Sequence, residues 1–331
     1  MGCDRLIVFR LDADQNIGFG HFRRCLILSS YFKRQGYRCL LLVCGKIPSL
    51  LSGAHRQDVR LVSNNLDSFD EIKPDLVFLD LLESRYFDDQ IRSLKRGSRR
   101  FPIVTLDGFY DALLEPDLSI IPWANRDEGV NLKYFAVPFD WLRERSKKFC
   151  VSRVAGRLLI CIGGGDPYHA SLKVLKLVTK LFNFEEVVVI AGPYYSASYL
   201  GELSDFCRAI PGCNLIVNPS CISKYLAQAD IAIISGGQIK FEAAFFRLPS
   251  LVLSNNSAER DLTVSFQKFG SCIYISGADN FDRYKLFLAL KNLKRSRMLR
   301  AKMRHMGSRL IDGGGGYRIV KDVSKKIFGI S

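Results

Sequence analysis

The feature that most limits what this chain can fold into is a rhythm. Short apolar runs rich in β-branched residues alternate with amphipathic stretches, and the rhythm restarts halfway along. In the first half, strand-like runs over 6–10, 38–43, 76–79, 103–106 and 118–121 accompany a helical stretch over 21–35. After a densely charged segment, Arg143-Glu144-Arg145-Ser146-Lys147-Lys148, strand-like runs recur over 157–162, 186–190, 214–217, 231–234, 250–253 and 272–275, and a helical stretch over 170–181 follows the first of them. Such alternation implies parallel sheets with helices on both faces. The 331 residues exceed what one core usually organises, roughly 250–300 residues. The chain therefore reads as two α/β domains, 1–148 and 149–331, each an open doubly wound sheet. Ligands of such sheets bind beyond the carboxyl ends of the strands, so the chemistry is expected in a cleft between the two.

Hydrophobic residues at 48% and charged residues at 24% give the balance of a packed globular protein and exclude a disordered or fibrous one. The net charge of +15 favours acidic partners: nucleic acid, anionic lipid or a phosphorylated small molecule. Much of the excess lies in Lys95-Arg96-Gly97-Ser98-Arg99-Arg100 and in 291–309, most of which reads as a basic helix. Solvated faces are the plain reading of both. No recognised nucleic-acid module accompanies the charge, so no nucleic-acid partner is expected. The ten cysteines include no C-x-x-C pair, and Cys39, Cys44 and Cys161 sit in apolar runs, a pattern of reduced, cytoplasmic thiols. No apolar stretch reaches the roughly 20 residues of a membrane span, and no export signal is read at the start.

Three glycine-bearing turns follow strand-like runs. In the first, Gly18-Phe19-Gly20-His21 precedes a helix whose first turn carries Arg23 and Arg24. Gly18 and Gly20 let the backbone approach a ligand, and the helix start offers amide donors to an anion. His21 can take a proton from water near neutral pH; the plainer alternative is a helix cap. Arg23 and Arg24 read either as phosphate contacts or as a solvated residue and a partner for a carboxylate such as Asp12 or Asp14. The second turn, Gly163-Gly164-Gly165-Asp166-Pro167, lacks the lysine and hydroxyl residue of a triphosphate loop. It is either a nest of amides for a diphosphate or a tight turn. In the third, Ser235-Gly236-Gly237 opens a helix carrying Glu242, placed to accept ribose hydroxyls or simply to suit the helix dipole. No His and carboxylate cluster with ligand spacing is present, so neither metal nor cofactor is expected.

At these residues the chain resembles the pseudaminic-acid pathway hydrolases, which release UDP from a UDP-diacetamido-trideoxy-altrose, and the related spore-coat polysaccharide proteins. Both are similar in fold to the glycosyltransferase MurG. The matching stretches are 10–28, 106–107, 139–145, 163–167, 235–249 and 312–320. The resemblance implies two Rossmann-like domains of glycosyltransferase-B type, the first serving the sugar and catalysis and the second holding UDP. It implies that His21 activates or orients water and that Gly236, Gly237 and Glu242 lie in the nucleotide-binding segment; Gly18, Gly20, Arg23, Arg24, Asp107, Gly164, Gly165, Ser235 and Asn255 are the further candidates to line the substrate. Asp12 is the candidate for orienting His21 or holding a sugar hydroxyl. Two positions depart from the family pattern. Leu81-Leu82-Glu83 stands where a tyrosine often follows the strand, and Ala258-Glu259 stands where an Asn-Gln pair is expected, with Asn255 and Asn256 a few residues early.

The expected reaction is hydrolysis of a UDP-sugar to release UDP. The alternative is transfer of the sugar to a lipid or glycan acceptor, for which the basic surface would meet an anionic membrane. A non-catalytic binding module in a polysaccharide pathway is the third reading.

Overall fold

The computed structural model describes residues 4–13, 20–45, 58–62, 68–81, 101–106, 116–120, 132–146 and 150–330. It divides into two compact units, one formed by 1–137 with 313–331 and the other by 138–312.

In the first unit the described strands are β1 (Leu6–Ala13), β2 (Arg38–Gly45), β3 (Val59–Val62), β4 (Leu76–Asp80), β5 (Ile103–Leu106) and β6 (Leu118–Ile120). They form a sheet in the order β3-β2-β1-β4-β5-β6, with every neighbouring pair parallel. Helices α1 (Gly20–Arg34) and α2 (Ser68–Ile72) belong to this unit. β4 and β5 are buried at every residue, which is why they read as unbroken apolar runs: a parallel strand covered on both faces has no solvent side. β3 escaped the sequence reading because its residues, Val-Arg-Leu-Val, lie half-buried or exposed at the sheet edge.

The second unit repeats the plan with β7 (Arg157–Cys161), β8 (Glu186–Ala191), β9 (Cys213–Val217), β10 (Ile231–Ser235), β11 (Ser250–Ser254) and β12 (Cys272–Gly277). The order is β12-β11-β10-β7-β8-β9, and the neighbouring pairs are again parallel. Its helices are α3 (Phe139–Ser146), α4 (Ala170–Leu181), α5 (Ala197–Arg208), α6 (Ser223–Gln228), α7 (Ile239–Phe245), α8 (Ser257–Phe266), α9 (Arg283–Arg295) and α10 (Arg297–Leu310). One continuous core runs from Leu158 and Ile160 through Val189 and Ile233 to Leu251 and Leu290. Burial of each such side chain contributes about 1.5–3 kcal/mol.

The unit boundaries differ from 148/149, for reasons of packing. The charged segment is no linker. Its residues 143–146 belong to α3, whose Trp141 is buried against Phe245 and Phe246, while the Arg145 guanidinium lies over the Phe245 ring and donates to the Ser308 carbonyl at 2.9 Å. The final helix α11 (Gly315–Lys326) returns to the first unit. There the Tyr134 hydroxyl donates to Asp322, and Tyr31 and Tyr317 meet edge to face. A methyl on Gly315 would lie 2.2 Å from the Phe135 carbonyl oxygen, and one on Gly316 would lie 2.5 Å from the Tyr31 ring. The glycine run here serves close packing.

The basic stretch 291–309 is likewise two helices and not one. Ser296 ends α9 and caps α10 by accepting from the Leu299 amide. Arg300 is buried and donates to the carbonyls of Leu293, Lys294, Ser152 and Arg153. Part of this charge is therefore internal scaffolding.

Candidate active site and nucleotide loops

In both sheets the chain starts in the middle, fills one side and then the other, so the strand order reverses between β1 and β4 and between β7 and β10. Such a switch point leaves a crevice at the carboxyl ends of two adjacent strands, where ligands of doubly wound sheets sit. Each unit gathers polar groups at its own switch point.

In the first unit, β1 pairs with β4 in a register that sets Leu11 opposite Asp80. α1 follows β1 and carries His21 and Arg24 one turn apart on one face. The Asp80 side chain is fully buried. It accepts from Arg24 Nε at 2.8 Å and from a second guanidinium nitrogen of Arg24, contacts His21 Nδ1 at 2.6 Å, and accepts from Cys25 Sγ at 3.3 Å. Burial alone would push the Asp80 carboxyl up, but the Arg24 guanidinium and the His21 ring outweigh it and hold the carboxyl well below the usual carboxylate range. Burial, reinforced by the Asp80 charge, pushes the Cys25 thiol up, so it stays a neutral donor.

An ionised Asp80 has no proton to give. The ring nitrogen 2.6 Å away must therefore be the donor, which fixes the tautomer of a neutral His21: Nδ1 carries hydrogen and Nε2 carries the lone pair. The His21 side chain is 12% exposed, so the ring is held and not sealed off.

Asp12 does not orient His21. Arg10 and Asp12 stand on the same face of β1, two residues apart, and Asp12 accepts from the Arg10 guanidinium at 2.6 Å. Asp80 takes the orienting place. Arg24 is Asp80's internal partner, and Arg23 is half-buried in the preceding position of α1. Gly20 begins α1; Gly18, Asp107 and Leu82 lie outside the described residues.

In the second unit, Gly163 takes a left-handed backbone (φ +76°), and a methyl there would lie 3.1 Å from Ser235 Oγ. The β7 and β10 turns thus touch. The Gly164 carbonyl accepts from the Tyr194 amide at 2.9 Å, and Gly164 is packed against Gly192 so closely that a methyl on Gly192 would meet its Cα at 2.5 Å. Gly165 is half-buried in the same turn. Asp166, buried, accepts from the amides of Ala170 at 2.7 Å and Ser171 at 2.8 Å and from the Tyr199 hydroxyl at 2.7 Å. The start of α4 is thereby occupied by the protein's own carboxylate.

At the next turn the Gly236 amide donates to the Leu253 carbonyl at 2.8 Å. Lys240, buried in α7, donates from Nζ to the carbonyl of Gly236 and, at 3.2 Å, to that of Gly237. Trans peptides place each carbonyl opposite the following N–H, so the N–H groups of Gly237 and Gln238 are turned to the side away from the ammonium. Glu242 is buried one turn into α7. After β11, the Asn255 amide donates to Glu259 Oε2 at 2.7 Å, and Asn256 caps α8 by accepting from the Glu259 amide at 2.8 Å. Gly163, Ser235, Gly236, Gly237, Asn255 and Glu259 converge on one crevice.

Sequence reasoning gave no role to Asp80 or Lys240. Asp80 had a signal, an acid at the end of an unbroken apolar run. Lys240, among apolar neighbours one turn after a glycine pair, had a weaker one. Among the described residues no three His, Cys, Asp or Glu side chains gather as a metal site, and no helix is long and apolar enough to cross a membrane.

The sequence is 22% identical over 259 residues to the UDP-2,4-diacetamido-2,4,6-trideoxy-β-L-altropyranose hydrolase of Campylobacter jejuni, covering 73% of this chain and 88% of that one. It is 24% identical over 167 residues to the spore coat polysaccharide biosynthesis protein SpsG of Bacillus subtilis, covering 49% and 48%. The chain has homologues among sugar-nucleotide and surface-polysaccharide proteins. A protein of Methanocaldococcus jannaschii is 24% identical over 273 residues, 76% of this chain and 56% of its own length; this chain thus spans about half the length of that relative and of SpsG. No family model matches. Among solved structures, a glycotransferase of kitacinnamycin aligns with TM-score 0.65 at 14% identity, covering 99% of this chain and all of the other. A Staphylococcus aureus MnaA-UDP co-structure gives 0.63 at 14%, with 98% of each chain covered. Acinetobacter baumannii MurG gives 0.61 at 12%, covering 96% and 99%. The two-sheet α/β architecture is that of these MurG-like glycosyltransferase-B structures.

Proposed function

We propose that this protein hydrolyses a UDP-linked diacetamido-trideoxy sugar in the making of a surface polysaccharide, releasing UDP. The reading is carried by the His21–Asp80 pair: an ionised, buried carboxylate on Nδ1 leaves Nε2 as a proton acceptor on a ring that is not sealed off. Water gives its proton to Nε2 while its oxygen bonds to the anomeric carbon. The bond from that carbon to the diphosphate oxygen breaks, and its electron pair leaves with UDP. Asp80 stays ionised and steadies the imidazolium, as the carboxylate of a hydrolytic triad does.

The second unit would bind the nucleotide. Support comes from the Gly163–Gly165 and Ser235–Gly237 turns at its switch point and from amides that the Lys240 contacts turn away from the ammonium; the choice of UDP as the nucleotide follows the name of the Campylobacter jejuni relative. Amide donors already in place stabilise charge developing on the leaving diphosphate. Glu242 would accept ribose hydroxyls. The substrate class follows the name of the Campylobacter jejuni relative.

Incubation of purified protein with a panel of UDP-sugars, with and without anionic membranes, tests this. Free UDP and free sugar from protein alone are expected. UDP released only when membranes or a glycan acceptor are present would replace hydrolysis by transfer, and an isomerised UDP-sugar without UDP release would replace both by epimerisation.

A further inference from the structure

We propose that Glu259 is a ligand-binding residue of the second unit's crevice and enters the complex as a neutral acid, so that binding of a nucleoside diphosphate sugar takes up one proton. The proposal rests on the nucleotide reading of that crevice given above and adds a residue and a proton to it.

Glu259 sits in the first turn of α8 with its carboxylate laid on the glycine turn. A methyl on Gly236 would come within 3.2 Å of Oε2, and one on Gly237 within 3.3 Å of Oε1. The peptide between Gly236 and Gly237 carries the N–H of Gly237 on the side away from Lys240, which holds the Gly236 carbonyl. A diphosphate seated on the glycine turn at that N–H therefore meets the Glu259 carboxyl. If that carboxyl were ionised, like charges roughly 5 Å apart at a protein surface would lower affinity on the order of 100-fold. A protonated Glu259 removes the repulsion and supplies an O–H donor to a phosphate oxygen, while its other oxygen keeps the Asn255 amide. Beside it, the buried Asn255 side-chain oxygen has no hydrogen-bond partner among the described residues, an acceptor that a ligand hydroxyl would satisfy.

The surroundings permit the proton. Burial pushes the Glu259 carboxyl up, outweighing the amides of Asn255 and Gly236 and the positive charge of Lys240 from α7. On its own helix, Arg260 and Asp261 pair with each other at 2.9 Å. On β12, Cys272 is neutral because burial pushes its thiol up to about 12, and the Tyr274 hydroxyl is hydrogen-bonded to Ser254 at 3.2 Å. The turn 267–269 adds Lys268.

UDP-N-acetylglucosamine is a suitable probe, because its diphosphate is a diester with no proton to gain near neutral pH. Calorimetric titration of the full chain in buffers of different ionisation enthalpy reads protons directly. The wild-type protein is expected to take up close to one proton per ligand, with Kd weakening about tenfold per pH unit above the titration of free Glu259. Uptake should persist in His21→Asn, which assigns it away from the other unit. In Glu259→Gln, of the same shape, uptake should vanish and Kd should become independent of pH. Binding by the wild type without proton uptake, at a Kd flat from pH 6 to 9, overturns the proposal and leaves the nucleotide site standing. Absence of binding at every pH, in both proteins, overturns the nucleotide reading and this proposal with it.

Discussion

His21 Nδ1 and an Asp80 carboxylate oxygen meet at 2.6 Å although 59 positions separate them in the chain. The contact exists because β1 and β4 are neighbours, and it gives the ring a fixed tautomer and orientation.

His21→Asn keeps a hydrogen-bonding group of similar reach but cannot accept a proton near neutral pH. UDP release should fall roughly 10²–10⁴-fold, the usual share of general base catalysis, with UDP-sugar affinity and the melting curve little changed. Turnover equal to wild type would reduce His21 to a helix cap.

Asp80→Asn strands the buried Arg24 guanidinium. Loss of one partner of a buried pair costs about 3–5 kcal/mol, and urea melts should register it, whereas Asp12→Asn, at the 24% exposed end of its own pair with Arg10, should cost far less. The pH dependence has a definite sign. The folded Asp80 carboxyl lies below its unfolded value, so its stabilisation is complete above about pH 3.9 and is lost as pH falls toward the folded value. The difference between wild type and Asp80→Asn should narrow in that acid window and stay constant above it.

How much of this was legible beforehand follows from which signals are local. Fully buried parallel strands such as β4, β10 and β11 announce themselves as apolar runs, so both sheets were readable apart from the edge strand β3. The Asp80 partnership was not, because it depends on the Leu11 to Asp80 register, a relation between distant strands that no local pattern encodes. Asp12 was the nearer acid and therefore the natural guess, but two residues along β1 its charge is already met by Arg10. The boundary was misplaced for a similar reason: the charges of 143–146 mark the place where the strand and helix rhythm restarts, but Trp141 anchors that helix in the second unit.

Glu242→Ala should weaken UDP binding by about 1.5–3 kcal/mol if a charged hydrogen bond to ribose is lost. Titration calorimetry measures it, and an unchanged Kd would confine Glu242 to a structural place in α7.

Two glycines should respond in opposite directions. Gly315→Ala drives a methyl to 2.2 Å from the Phe135 carbonyl oxygen and should destabilise by about 1–3 kcal/mol or more. Gly201→Ala, inside α5 with nothing within 4 Å of the added methyl, should stabilise by about 0.5–1 kcal/mol. Thermal or urea melts of both proteins check the pair.

The placement of α11 bears on how the polypeptide is assembled. The second unit is continuous in sequence and is fully synthesised by residue 312, whereas the first, begun earlier, lacks α11 until residues 313–331 leave the ribosome. Until then the Tyr31 ring has no Gly316 beneath it, and Tyr134 has no Asp322 to bond. The half bearing His21 is thus the later of the two to have all of its residues synthesised, and a chain stopped short of residue 313 holds the whole sequence of the second unit but not of the first.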